Sequence, residues 1–154
     1  MNRRDSLKAL GLTTGAAMIP ALSNAEPKKE PSAFKYCLNT STIRGQKAGL
    51  TKSIEIAARA GFDSLELWVM DVKEYKDNGG SMPALKKLIS DSKLTVEDAI
   101  GFAPWMVDDE DQRNKGFVQM KEEMLLMSEI GCKRIAAPSS GVKADQPLDL
   151  YKVG

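Results

Sequence analysis

The sequence predicts an α/β fold, with strands and helices alternating around a parallel sheet. Three observations carry that expectation. Apolar segments of strand composition recur roughly every 30 to 40 residues with amphipathic helices between them, which is the spacing of βα units. Two segments, "ARAGFDSLEL" from Ala58 and "SEIGCKRIAA" from Ser128, repeat one pattern of helix end, glycine, turn and strand. The window "DSLELWV", Asp63 to Val69, reads as a strand with Leu65, Leu67 and Val69 on one face and Ser64, Glu66 and Trp68 on the other. A carboxylate in the middle of so apolar a strand costs several kcal/mol when buried without a partner, so Glu66 needs a partner or a task.

The elements follow in order. "FKYCLNTSTI" (34–43) has strand composition and runs into a hydroxyl-rich loop. Leu50, Ile54, Ala57 and Ala58 mark the apolar stripe of a first helix, and Gly61 stands where a C-terminal glycine belongs. After the Glu66 strand, a polar loop containing "DNGG" leads to Ser81 as an N-cap. Pro83 falls in the first turn of a second helix, with Leu85, Leu88 and Ile89 as its stripe. "LTVEDAIGF" (94–102) is the third strand. "DDEDQ" places acidic residues at the positive end of a long helix, for which Phe117, Met120, Met124 and Met127 are the expected buried face and Gly131 the stop. "KRIAAP" (133–138) is the fourth strand. Consecutive units with right-handed crossovers give a parallel sheet, and both an open doubly wound sheet and part of a (β/α)8 barrel satisfy the order.

Composition narrows the chemistry. With 154 residues, net charge +1 and no histidine, the chain has neither the charge of a nucleic-acid or membrane-surface protein nor the commonest side chain for acid–base work. Neither G-x-G-x-x-G nor G-x-x-x-x-G-K-[ST] nor G-x-S-x-G occurs, and there is no C-x-x-C pair. Cys37, within the first strand, and Cys132, just before the last, are expected as two separate buried thiols rather than a disulfide.

Residues 1–25 read as an export signal. "NRRDSLK" supplies paired arginines, the run from Ala9 to Leu22 is small and apolar, and "SNA" ends in small residues. This segment resembles a twin-arginine signal, with Ser6 where phenylalanine is usual, and implies a periplasmic or otherwise exported protein. The apolar run, about 14 residues against the roughly 20 needed to span, is too short for a stable membrane anchor. Residues 26–33 read as a polar linker and 34–154 as the folded domain.

"FKYCLNTSTIRG", "AARAGFDSLELWVMD", "AIGFAPWMVDD" and "IGCKRIAAPSSG" together resemble the N-terminal half of the xylose isomerase-like TIM barrel superfamily, in its sugar phosphate isomerase/epimerase group. The resemblance implies four βα-type strands of a (β/α)8 barrel, with the site at the C-terminal ends of the strands. It implies a small carbohydrate substrate and, for a full-length member, a divalent metal and two proton-shuttling glutamates. The residues at the available strand ends that this assigns to substrate binding are Asn39, Glu66, Trp68 and Trp105. Glu66 faces a polar barrel interior and the two tryptophans supply an apolar wall, against the alternatives of structural pairing and rim packing. The metal ligands and catalytic glutamates of such barrels come mainly from later strands, so none is assigned here.

A complete barrel takes about 250 residues, and a half barrel leaves its inner face and two edges uncovered. The expected complement is a missing C-terminal half or a second copy of the chain. The expected activity is therefore that of an exported carbohydrate isomerase or epimerase working by metal-assisted proton transfer, incomplete in this chain alone. A keto-glycoside lyase on the same fold and a non-catalytic sugar-binding or assembly module are the alternatives. An endonuclease branch of the same superfamily, which uses histidine ligands and a basic surface, does not fit.

Overall fold

A computed structural model describes residues 33–142 and 149. The expected export signal over 1–25, and all but the last residue of the linker over 26–33, lie outside the described residues.

Three strands, β1 (Cys37–Asn39), β2 (Ser64–Trp68) and β3 (Thr95–Ile100), form one parallel sheet in that spatial order. The central strand obeys the alternation read from its sequence. Leu65, Leu67 and Val69 are buried to within 2% exposure, while Glu66 and Trp68 on the opposite face are half-buried. The register aligns Asn39 with Glu66 and Glu66 with Asp98. A bulge at Leu65/Glu66 leaves Glu97 as the extra residue on β3 and restores the inside–outside alternation beyond it.

One strand expectation needs correction. "KRIAAP" does not form a full fourth strand. It contributes one parallel bridge, Ile100 with Ala136, in which the Ala136 N–H donates to Ala99 O at 2.7 Å and the Gly101 N–H to Ala136 O at 3.0 Å. Pro138 has no N–H to extend that ladder, and no further strand among the described residues pairs with its outer edge. β1 ends at Asn39, the strand end that the sequence indicates: the Asn39 side chain accepts from the Ser41 N–H at 2.9 Å, and the hydroxyl-rich stretch that follows forms a 3-10 helix, Thr40–Gln46.

The helices are α1 (Leu50–Arg59), α2 (Val69–Asp77), α3 (Met82–Asp91) and α4 (Glu110–Glu129). α2 replaces most of the loop expected after β2: Val69 and Val72 are buried and Tyr75 packs against the same core, a stripe of three at helical spacing. The starts of α3 and α4 fit the sequence. Ser81 caps the Ala84 N–H, and Asp109 caps the Gln112 N–H at 2.8 Å. The two repeat segments share one helix stop. Phe62 N–H donates to Ala57 O and Cys132 N–H to Met127 O, with Gly61 (φ 81°) and Gly131 (φ 88°) in the left-handed region that this stop requires. α3 ends with the same pair of bonds, Leu94 N–H to Ile89 O and Lys93 N–H to Ser90 O, but with Lys93 at φ 57° in the glycine position.

The core lies between the outer face of the sheet and these helices: Leu65, Leu67 and Ala99 from the strands meet Ile54, Leu85, Ile89, Leu126 and Met127. The methionine stripe expected on α4 is rotated. Gly116, Glu123, Leu126 and Met127 are buried, whereas Phe117 and Met124 are exposed. A glycine and a glutamate stand in the buried stripe, so hydrophobicity alone points to the wrong face. Gly116 is there for approach distance, since a Cβ would lie 2.4 Å from Pro104 O. No helix among the described residues is long and apolar enough to cross a membrane.

Both thiols are free, but only Cys132 is buried; Cys37 is exposed on the uncovered inner face. Burial pushes the Cys132 thiol above its usual range, and its Sγ donates to Arg134 O at 2.9 Å. In the native protein at pH 8, Cys37 therefore reacts with a soluble disulfide reagent, and Cys132 lags by roughly 100-fold or more until the chain is denatured. Equal native rates would contradict this packing. Independently, Lys93→Gly raises the free energy of urea unfolding by about 0.5–1 kcal/mol, because it relieves a side chain held in the left-handed region.

Candidate functional site

The C-terminal ends of β1 and β2 bring three of the four expected residues together. Asn39, the last residue of β1, is held by its neighbours in one orientation. Its Oδ1 accepts from the Ser41 N–H at 2.9 Å and from Trp68 Nε1 at 3.3 Å, and its Nδ2 donates to Glu66 Oε2 at 2.6 Å. Reversing the amide would set an oxygen against the carboxylate and a nitrogen against two donors, so the network itself fixes the assignment. Thr40, almost fully buried, donates from Oγ1 to Glu66 O at 3.4 Å and ties the strand ends once more.

Among the described residues Glu66 Oε1 has no hydrogen-bond partner, on a half-buried side chain at the sheet face opposite the helix-packed core. The register sets Asp98 beside it, so one row across the sheet reads Asn39, Glu66, Asp98. Trp68 is more enclosed than an open sugar platform. The Arg44 guanidinium lies 4.2 Å from its ring centroid, and the Phe102 ring centroid is 5.0 Å away at a 47° tilt. Arg44 in turn donates from Nη2 to both carboxylate oxygens of Asp71 at 2.9 Å. Arg44 lies in the 3-10 helix after β1 and Asp71 in the first turn of α2, so the pair links the helical segments that follow two neighbouring strands. Both also line an open groove of about 730 Å3 that runs toward Lys47, Glu74 and Tyr75.

Trp105 does not join this group. Its Nε1 donates to Pro138 O at 3.0 Å, alongside Ser140 Oγ to Phe102 O at 2.9 Å and Met106 N–H to Ser140 O at 3.0 Å. Those bonds fasten the loop after β3 to the segment after the Ala136 bridge. The aromatic neighbour of Trp68 is thus Phe102. Arg44, Asp71 and Asp98 escaped the sequence reading: Arg44 lay in what read as a loop, and Asp71 becomes legible only once 69–77 is seen as a helix.

No group of three or more His, Cys, Asp or Glu side chains able to hold a metal occurs among the described residues. Glu66 and Asp98 are the carboxylates this row offers, and without a third side-chain ligand among the described residues these strand ends alone fall short of a divalent-metal donor set. What they offer is hydrogen-bond acceptance by carboxylates, donation by a guanidinium, and apolar ring surface.

No protein-family model and no curated protein matches the chain. Solved structures do. The chain matches a xylose isomerase-like TIM barrel/4-hydroxyphenylpyruvate dioxygenase fusion protein over 79% of its own length and 18% of that protein's, at 22% identity and TM-score 0.65. The fold is part of a TIM barrel. A D-psicose 3-epimerase, solved in the presence of D-fructose, matches over 77% of this chain and 43% of its own, at 18% identity and TM-score 0.60. A 3-keto-D-glucoside 4-epimerase from E. coli matches over 63% and 36%, at 20% identity and TM-score 0.50. The chain spans less than half the length of each.

The Asn39–Glu66 bond gives the site a titration test. Asn39→Asp sets two carboxylates at hydrogen-bond distance, and the pair then binds a proton more readily folded than unfolded. Its folded-state affinity for that proton is raised, so the variant is less stable than wild type by about 1–3 kcal/mol at pH 7 and regains most of the loss as pH falls toward 4. Urea unfolding at both pH values checks it, and a deficit independent of pH would place Asn39 away from Glu66.

Proposed function

We propose that this chain forms the opening half of an exported carbohydrate isomerase or epimerase, and that its rim binds and orients the sugar. The observation that carries this reading is the Asn39–Glu66–Trp68 network at the C-terminal ends of adjacent parallel strands, where TIM barrels hold their sites. Two of the matched structures are sugar epimerases, which supports a carbohydrate as the ligand class. Keto-glycosides fall within that class.

The chain's own contribution is positional. Glu66 Oε1 accepts from a sugar hydroxyl while Asn39 holds the carboxylate's other oxygen, so the acceptor is oriented before the ligand arrives. The proton transfer next to a carbonyl that defines such isomerisations needs acid and base groups beyond those at these strand ends. In this proposal they come with the complementary βα units, on a longer chain or a second copy, together with the ligands of any divalent metal. The near-neutral charge of the chain supports a small-molecule ligand over a nucleic acid.

Calorimetric titration of D-fructose into the purified chain gives saturable binding under this proposal. Glu66→Gln, which keeps an acceptor for Asn39, weakens that binding by about tenfold and leaves the urea midpoint unchanged. Unaltered affinity with lowered stability would make Glu66 a scaffold residue, and absence of saturable binding by the wild-type chain would remove the sugar site.

A further inference from the structure

We infer that this rim takes the uncharged, hydroxyl-bearing part of its ligand and disfavours a phosphorylated or carboxylated form of the same sugar; the inference rests on the reading of the rim as a sugar site. A free guanidinium is the side chain best suited to hold a phosphate, through two parallel N–H donors, and Arg44 stands at the rim where such a group would arrive. It is not free. Nη2 is engaged by both oxygens of Asp71 at 2.9 Å, and the guanidinium is stacked 4.2 Å from the centroid of Trp68. A phosphate gripped by two donors through Nη2 would have to displace Asp71, and one held by the remaining N–H groups would sit beside the Asp71 carboxylate.

The neighbouring charges point the same way. Glu66 and Asp98 sit side by side in the register row, and Asp71 adds a third carboxylate against the single guanidinium of Arg44. Lower on β3, Glu97 is paired with Arg134, so that arginine is also taken. Along the groove, Lys47 and Glu74 contribute one charge of each sign to the lining. Among the described residues named here carboxylates outnumber cations, and like-charge juxtaposition penalises an anion entering beside them. Hydroxyls meet no such penalty: Glu66 Oε1 accepts from them, and the Arg44 N–H groups not used by Asp71 donate to them.

The arrangement makes Asp71 a selectivity residue that acts through Arg44 rather than by touching the sugar. Calorimetric titration of the full chain at low ionic strength with D-fructose, D-fructose 6-phosphate and inorganic phosphate tests this. Wild type binds D-fructose at least about tenfold more tightly than its 6-phosphate and shows no saturable heat with inorganic phosphate. Asp71→Asn releases Arg44 and narrows or reverses that ratio by roughly tenfold, an effect that shrinks in 0.5 M salt as a charge effect must. Should Asp71→Asn fail to fold, Asp98→Asn removes a second negative charge from the row and narrows the ratio in the same direction. Equal or tighter binding of the 6-phosphate by wild type overturns the inference while leaving the sugar site intact. Absence of D-fructose binding overturns the sugar site first. A ratio unchanged in both variants overturns the electrostatic account of selectivity.

Discussion

The period-two alternation of β2 is the constraint on which the rest depends. It is the central strand, paired on both sides, so its register is shared by every other element of the sheet. Sliding it by one residue would drive Glu66 into the helix-packed core and lift Leu65 and Leu67, both fully buried, into the mouth. Burial of those two leucines contributes about 1.5–3 kcal/mol each, and an unpaired buried carboxylate would oppose folding by a similar amount or more. The same apolar face that assembles the fold therefore aims Glu66 and Trp68 at the interior. Site and core are two faces of one strand.

The rim residues are then held by short-range bonds whose value is orientation. The Arg44–Asp71 pair is substantially exposed, with side chains 41% and 26% accessible, and exposed pairs contribute about 0–1 kcal/mol. Its effect is geometric: it fixes the guanidinium above Trp68 and couples the loop after β1 to the start of α2. Asn39 works in the same way at greater depth. One side chain ends β1, starts the 3-10 helix and clamps Glu66 and Trp68. Such a constellation loses little entropy on binding a ligand, because its rotamers are already restricted.

What was legible in the sequence follows from how local each signal is. The β2 alternation, the Ser81 cap, the acidic start of α4 and the paired glycine stops are set by residues within a turn or two of one another, and each stands where the sequence puts it. The failures are non-local. α2 resembles a loop in sequence because its buried stripe is only Val69, Val72 and Tyr75, amid charged residues. The fourth strand had the right composition but depends on a neighbour to pair with. Trp105 stood at a strand end, as Trp68 does, yet its indole N–H is drawn to Pro138 O, 33 residues away, a contact no spacing rule reveals. Arg44 shows the converse: nothing in "TIRG" distinguishes a loop arginine from one that stacks on a tryptophan 24 residues later.

α4 shows how far a helix can depart from amphipathic expectation when packing on more than one side shapes it. Its inward stripe contains Glu123, whose Oε1 accepts from Gln119 Nε2 at 2.7 Å and whose Oε2 is buried with no hydrogen-bond partner. A Cβ on Gly101 would lie 2.6 Å from that oxygen, so the glycine at the end of β3 is what makes room for it. Its outward side carries Phe117, Val118, Met124 and Leu125, all exposed. For a helix covering one sheet and nothing else, exchanging the glutamate for one of these apolar residues would gain both burial and solvation. The arrangement makes physical sense for a helix with apolar neighbours on its flanks, as every helix has in the ring around a closed barrel. In the proposed complete cylinder the exposed apolar residues of α4 would have flanking helices to pack against.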